Sequence, residues 1–578
     1  MSRPGRIVIS LAIVVAFASA LPVTAAASDP AGTHFSDLAQ VTAANVRQLK
    51  PAFTFDVGVQ RGQEAAPLVV GDTMYVVTPF PNYLYALDLR QNGRRKWTFE
   101  PQPDVGAEGA ACCDAGTAGV AYDNGRVFMV TLDGQAIAID AASGKEQWRA
   151  RLADVAKGET VTMAPLVVRG KLLVGNSGAE FGVRGWLAAL DAATGREAWR
   201  AYSTGPDADV LIGADFKPYY ETQRGRNLGV TSWPTDGWKT GGGTVSGTLS
   251  YDAAADLVYY GTASPAPRNP EQRAGDNQWT AGIFARQPDT GAARWFYQWS
   301  PHDLHGHDGT NENVLVDLRV GGRPRKVLLH PDSNGYLYVL DRLSGQVLSA
   351  DPFVDANTIQ RVDLVTGKPV RNPGKDLRVG EPTRHVCPGA AGAKGRQPSA
   401  WSPRTGLLYI PHQHVCEDVS PYDVAYIAGT PYLGVDSEMY AAPNRSRGAL
   451  TAWDPLARKP RWSVAERFPV VSGALATAGG VVFYGTMDGW FKAVNAADGK
   501  PLWQYKVASG VVGQPVTYRG PDGRQYVAVL AGVGGWAGAI VSNELDARDG
   551  TAARGYVNAM KDLPSFTRKG GMLYVFAL

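Results

Sequence analysis

No Cys-x-x-Cys-His run occurs anywhere in the 578 residues, which excludes a covalently attached c-type haem. There is also no basic run or stripe, and the formal net charge of +3 is close to neutral for this length, which argues against a nucleic-acid partner. Beyond Leu21 no segment is apolar enough for the roughly 20 residues a membrane helix needs, so no membrane span is expected. Long helices are disfavoured as well: 67 Gly, 38 Pro, 15 Trp and 24 Tyr describe many turns and short aromatic-rich strands.

What is present begins at the N-terminus. Arg3 and Arg6 precede an apolar run from Ile7 to Leu21, and Ala25-Ala26-Ala27 precede Ser28 and Asp29. This is the pattern of a secretory signal over residues 1–27, followed by a mature domain over 28–578 that is secreted into the periplasm. In such a compartment disulfides persist. The chain has four cysteines, and two of them, Cys112 and Cys113, are adjacent. Bonded to each other they close an eight-membered ring that strains the intervening peptide and adds almost no loop-closure stability. A flat contact surface explains such a ring better than a staple does. Cys387 and Cys416 are then the simplest second pair, although the sequence leaves the connectivity open.

A unit recurs along the chain: a short apolar strand, an Asp, a small turn with Gly, and a Trp eight positions after the Asp. It runs from Asp140 to Trp148 around Gly144, from Asp191 to Trp199 around Gly195, from Asp454 to Trp462, and from Asn495 to Trp503 around Gly499. Looser copies run from Asp88 to Trp97, from Gln287 to Trp295 around Gly291, and from Asp341 through Gly345, where Ser349 replaces the Trp. Hairpins that cannot bury both faces alone must stack, and radial stacking of four-stranded sheets makes a β-propeller. The fold class expected is all-β, an eight-bladed propeller with Trp-docking repeats. Its eighth blade is closed by pairing Phe53-Thr54-Phe55 with Met572 to Phe576. A solenoid or an open sandwich is the competing architecture. Long insertions at 205–245 and 350–400 mark loops on one face, where a site is expected.

Together with Ser177 to Gly185, Gly241-Gly242-Gly243-Thr244, Pro301-His302-Asp303 and Gly532 to Trp536, these features resemble the quinoprotein alcohol dehydrogenases. These are eight-bladed enzymes that hold pyrroloquinoline quinone (PQQ) on the propeller axis. The likeness is to the methanol dehydrogenase large subunit, lanthanide-dependent forms included, and it covers essentially the whole mature chain. The resemblance implies that the Cys112-Cys113 ring lies against one face of PQQ. It also implies that Glu64, Thr162, Ser177, Gly178, Ala179, Thr244 and Trp536 surround the cofactor. Glu180, Ser264 and Asp308 fall at metal-ligand positions suited to calcium or a lanthanide, hard cations that prefer oxygen.

The pattern breaks at the centre. Gly306 stands where the family has its catalytic Asp, and Ser264 stands in place of a metal-binding Asn. Ala118 and Ser333 replace cationic residues, Ser246 and Val471 replace Trp, and Gly395 replaces Asn. Asp308 is the candidate base, with His305 and His307 as substitutes because on an extended segment they share a face. The function expected is oxidation of a small primary alcohol to an aldehyde, with electrons passed to a soluble cytochrome c. A degenerate propeller that binds a small molecule or protein without turnover is the alternative. A homodimer is an open assembly state.

Overall fold

The repeat unit maps onto the architecture blade by blade. The structure, a computed structural model, describes residues 29–111, 115–443 and 445–578. The expected signal segment and the Cys112-Cys113 pair lie outside the described residues. Among the described residues, eight sheets, each built on four antiparallel strands, form an eight-bladed propeller, and Phe35–Ser36 adds a short parallel fifth strand to one of them. Their innermost strands are Leu68–Val70, Ala121–Asp123, Leu166–Val168, Ser250–Asp252, Val314–Val320, Ala400–Ser402, Leu475–Thr477 and Val516–Arg519. The eighth blade is closed as expected, with Lys50–Asp56 outermost beside Met572–Ala577. Phe53 pairs with Val575, Thr54 with Tyr574 and Phe55 with Leu573. That closure leaves no free sheet edge between first and last blades and rules out the solenoid and the open sandwich.

The Asp-to-Trp spacing has a direct physical cause. Five of the outer-strand tryptophans, Trp97, Trp148, Trp199, Trp295 and Trp462, lie over the turn glycine of the next blade. A Cβ on Gly144 would lie 2.7 Å from the Trp97 ring, and one on Gly195 2.6 Å from Trp148. Each indole N–H also donates to a carbonyl of that turn, Trp148 to Ala192 at 3.1 Å and Trp462 to Ala496 at 3.2 Å. Where Ser349 replaces the Trp, the next blade has no ring above its turn. Arg458 then occupies the glycine position at φ 56° and pairs with Asp351 at 2.8 Å. Apolar side chains fill the space between blades, as where Phe128, Leu172, Leu187 and Phe284 join the second, third and fourth.

We expect Gly195→Val, with φ at +74° and the Trp148 ring in its path, to destabilise by about 2 to 4 kcal/mol. Arg458→Gly removes only a partly exposed pair and shifts stability by less than about 1 kcal/mol. Thermal melts of the two variants check this contrast.

Because the strands are antiparallel, the start of each first strand and the end of each second strand lie at the same end of the propeller. The Trp-docking turns lie at the other. The four longest insertions, residues 203–249, 353–399, 414–447 and 532–571, all emerge at that first end. They include the two expected from the sequence. The bond between Cys387 and Cys416 ties the second insertion to the third. No helix among the described residues is long and apolar enough to cross a membrane.

Candidate active site

A cavity of about 670 Å³ opens at the insertion end. Every blade supplies lining residues from the loop leading into its innermost strand: Glu64, Ala111, Thr162, Thr244 with Ser246, Asp308, Arg396, Val471 and Val512. A second ring comes from the loops after the second strands, with Ser177 to Glu180, Ser264, Ser333, Met487 and Trp536. The architecture thus brings ten of the sequence-expected residues to one cavity: Glu64, Thr162, Ser177, Gly178, Ala179, Glu180, Thr244, Ser264, Asp308 and Trp536. Cys112 and Cys113 are outside the described residues, but the preceding Ala111 is on the wall.

One wall is acidic. Glu180 sits on the single turn Ala179–Phe181, with Gly178 and Gly182 at its two ends, and Tyr432 N–H donates to the Glu180 carbonyl at 2.7 Å. Desolvation, with the Asp308 charge adding to it, pushes the Glu180 carboxyl up to about 7. Desolvation raises Asp308 as well, against the hydrogen bonds from Ser264. Ser264 N–H donates to Asp308 Oδ1 at 2.7 Å, and Ser333 Oγ donates to the Asp308 carbonyl at 2.6 Å. Ser264 and Ser333 therefore both hold Asp308 in place.

The segment carrying Asp308 is curled, which corrects the extended reading. The Asp303 carboxylate accepts the N–H groups of His305, Gly306 and His307 at 3.2, 2.9 and 3.0 Å. Gly306 follows with φ +74°. The two histidine rings do lie together, with centroids 5.7 Å apart. They are buried and absent from the cavity lining, however. His307 Nε2 donates to the Pro388 carbonyl at 3.1 Å, and burial holds His305 well below the ordinary histidine range. The geometry makes them packing groups behind the loop and leaves Asp308 as the carboxylate on the wall.

Across the cavity is a cluster that the sequence reading missed. The Arg396 guanidinium forms an ion pair with Glu64, its Nε donating at 3.0 Å, while Nη1 donates to Thr162 Oγ1 at 2.7 Å. Thr162 Oγ1 lies 3.0 Å from Ser177 Oγ. Lys394, two residues earlier, is buried against Glu312 at 3.1 Å. The available signal was two cations, Lys394 and Arg396, set among the small residues Gly392, Ala393 and Gly395.

These donor sets suit the groups that the resemblance implies. Two desolvated carboxylates on one wall fit a hard cation, whose charge would favour their ionised forms. A guanidinium with spare N–H donors beside two hydroxyls fits an anionic quinone bearing carboxylates, such as PQQ.

Comparison with known proteins agrees. The PQQ family, described as glucose/ethanol/alcohol dehydrogenase β-propeller domain, matches residues 24–353 and 444–527. A lanthanide-dependent methanol dehydrogenase of Methylacidiphilum fumariolicum is 48% identical, over 95% of this chain and 91% of that protein. A quinohemoprotein alcohol dehydrogenase of Comamonas testosteroni is 39% identical, over 88% and 72%. The solved structure of a europium-containing methanol dehydrogenase superposes with a TM-score of 0.93 at 48% identity, covering 95% of this chain and 96% of that one. The chain belongs to the PQQ-dependent alcohol dehydrogenase family of β-propeller enzymes and is similar to its lanthanide-dependent methanol dehydrogenase branch.

Proposed function

We propose that this chain is an exported, periplasmic PQQ-dependent dehydrogenase that oxidises a primary alcohol to an aldehyde and passes the electrons to a soluble cytochrome c. The observation that carries this is the pairing, in one cavity, of two desolvated carboxylates on one wall with the Arg396, Glu64 and Thr162 cluster on another. PQQ, when bound, supplies the two-electron acceptor, and calcium or a lanthanide supplies Lewis acidity. Arg396, Thr162 and Ser177 bind and orient the cofactor, with Gly178, Ala179, Thr244 and Trp536 completing its surroundings and the Cys112-Cys113 ring as one flat face. Glu180 and Asp308 hold the cation. Ser264 aims the Asp308 carboxylate, which takes the hydroxyl proton of the alcohol, and Ser333 anchors the Asp308 backbone. A propeller kept only for binding would need neither an aimed carboxylate nor a desolvated pair.

The test is protein purified from the periplasm of a PQQ-producing host, assayed with a phenazine dye after spectral and metal analysis. PQQ absorbance, bound metal and alcohol-dependent dye reduction are expected; absence of both PQQ and metal would overturn the reading.

The raised Glu180 carboxyl also fixes a pH dependence. In the metal-free protein the native state binds more protons than the unfolded chain between the ordinary 4.5 and about 7. Stability of the metal-free protein therefore falls as pH rises through that window. Metal binding displaces the proton, so metal affinity rises by up to about tenfold per pH unit for each proton displaced. Terbium or europium titrations from pH 5 to 8 check this, and Glu180→Gln is expected to flatten the slope.

A further inference from the structure

The cavity contains a second cationic feature, on the side of Gly306, that the proposed chemistry leaves unused. Arg268 is only 4% exposed. Its Nε donates to the Leu304 carbonyl at 2.8 Å, and its Nη2 pairs with Glu417 at 2.6 Å. Its Nη1 has no hydrogen-bond partner, although the residue lines the cavity. Nη1 is itself buried, so Arg268 contributes its charge to the cavity rather than a free donor. Arg554, from the last insertion, lines the same cavity, and its Nη2 donates to Ser437 Oγ at 2.6 Å. Two guanidinium groups therefore converge here against one buried carboxylate, Glu417, with Asp436 nearby but exposed.

The position relative to the reacting atoms limits the ligand. A Cβ on Gly306 would lie 3.7 Å from Arg268 Cδ and Nε, so the missing side chain at 306 leaves Arg268 in contact with the space beside Asp308. Resting on the reading above, we propose that the substrate is a short alcohol that also carries a carboxylate. Its anionic end accepts from the Arg554 guanidinium, within the field of Arg268, while its hydroxyl faces Asp308. In turnover one C–H and one O–H bond break and a C=O bond forms. The hydroxyl proton goes to Asp308, and the hydride with its two electrons goes to PQQ. The carboxylate leaves unchanged, so the product is an aldehyde acid.

The experiment compares 4-hydroxybutyrate with its neutral isostere 4-hydroxybutyramide, by kcat/KM on the PQQ- and metal-loaded protein. It also compares butyrate with butyramide, by thermal shift of the protein without cofactor. The acid is expected to be preferred by about 10- to 100-fold, and butyrate alone to raise the melting temperature. Arg554→Met, and the pair Arg268→Met with Glu417→Gln, which avoids an unpaired buried carboxylate, are each expected to bring the ratio close to one and to abolish the butyrate shift. Equal turnover of acid and amide, or a preference that survives in both variants, would overturn the proposal. If neither compound is oxidised the hydroxy-acid substrate falls, while the dehydrogenase reading is judged by its own PQQ, metal and dye assay, and the butyrate shift still decides the anion subsite: present and lost in the variants it stands, absent it falls.

Discussion

Asp308→Asn lowers kcat of the PQQ- and metal-loaded protein by about 10²- to 10⁴-fold, the usual range for loss of a general base. Asn is nearly isosteric and still accepts from Ser264 N–H, which holds Oδ1 at 2.7 Å in the wild type. The fold and the aim of the side chain are therefore retained, and only the charge and the proton acceptor are lost. The same change removes one of the two carboxylates on the acidic wall, so lanthanide affinity falls too. Luminescence titration separates the two effects, because saturating metal restores occupancy and leaves the missing base unrepaired. An unchanged kcat at saturating metal would show that another group takes the proton.

Arg396→Ala weakens PQQ binding by about 10- to 150-fold, which corresponds to roughly 1.5 to 3 kcal/mol for a hydrogen bond to a charged group. Arg396 spends Nε and Nη2 on Glu64 and Nη1 on Thr162. A guanidinium carries five N–H donors, so two remain for a cofactor carboxylate. The variant loses those donors and also leaves Glu64, a partly buried carboxylate on the cavity wall, without its cation. Arg396→Lys keeps the charge but not the fork, and recovers only part of the affinity. Quenching of intrinsic fluorescence by PQQ in the protein without cofactor measures both variants directly. Equal affinity in wild type and Arg396→Ala would remove Arg396 from the cofactor site.

The propeller was legible because its signal is local. Asp140, Gly144 and Trp148 belong to one hairpin, and the contact that requires them repeats around the ring. The substitution at Ser349 was visible too, but its consequence at Arg458 was not, since it acts across two blades. Within the site, Glu180 and Asp308 were legible as residues, while their mutual effect on ionisation depends on burial that no spacing reports. Arg396 and Arg268 were missed for a related reason. Glu64 and Arg396 are 332 residues apart, Arg268 and Glu417 149, and a single Arg in a loop reads as a solvated surface charge until the ring closes around it. The histidines were misassigned because three N–H groups turn toward the Asp303 carboxylate and curl a segment that alternation read as extended.

Gly306 and Arg268 belong together in this account. An Asp at 306 would sit within reach of the Arg268 guanidinium, given the 3.7 Å approach of a Cβ there. The glycine leaves that guanidinium paired with Glu417 alone, with no second carboxylate beside it.

The pairing of Lys50–Asp56 with Met572–Ala577 also sets a timetable for the molecule's assembly. More than 500 residues separate the two strands, so the ring stays open until Met572–Ala577 is available to pair. Contacts of such sequence separation form late and slowly. The first seven blades can stack as their hairpins are completed, but the seam between first and last is locked only when that strand pairs, so the ring gains its mutual support in one late step.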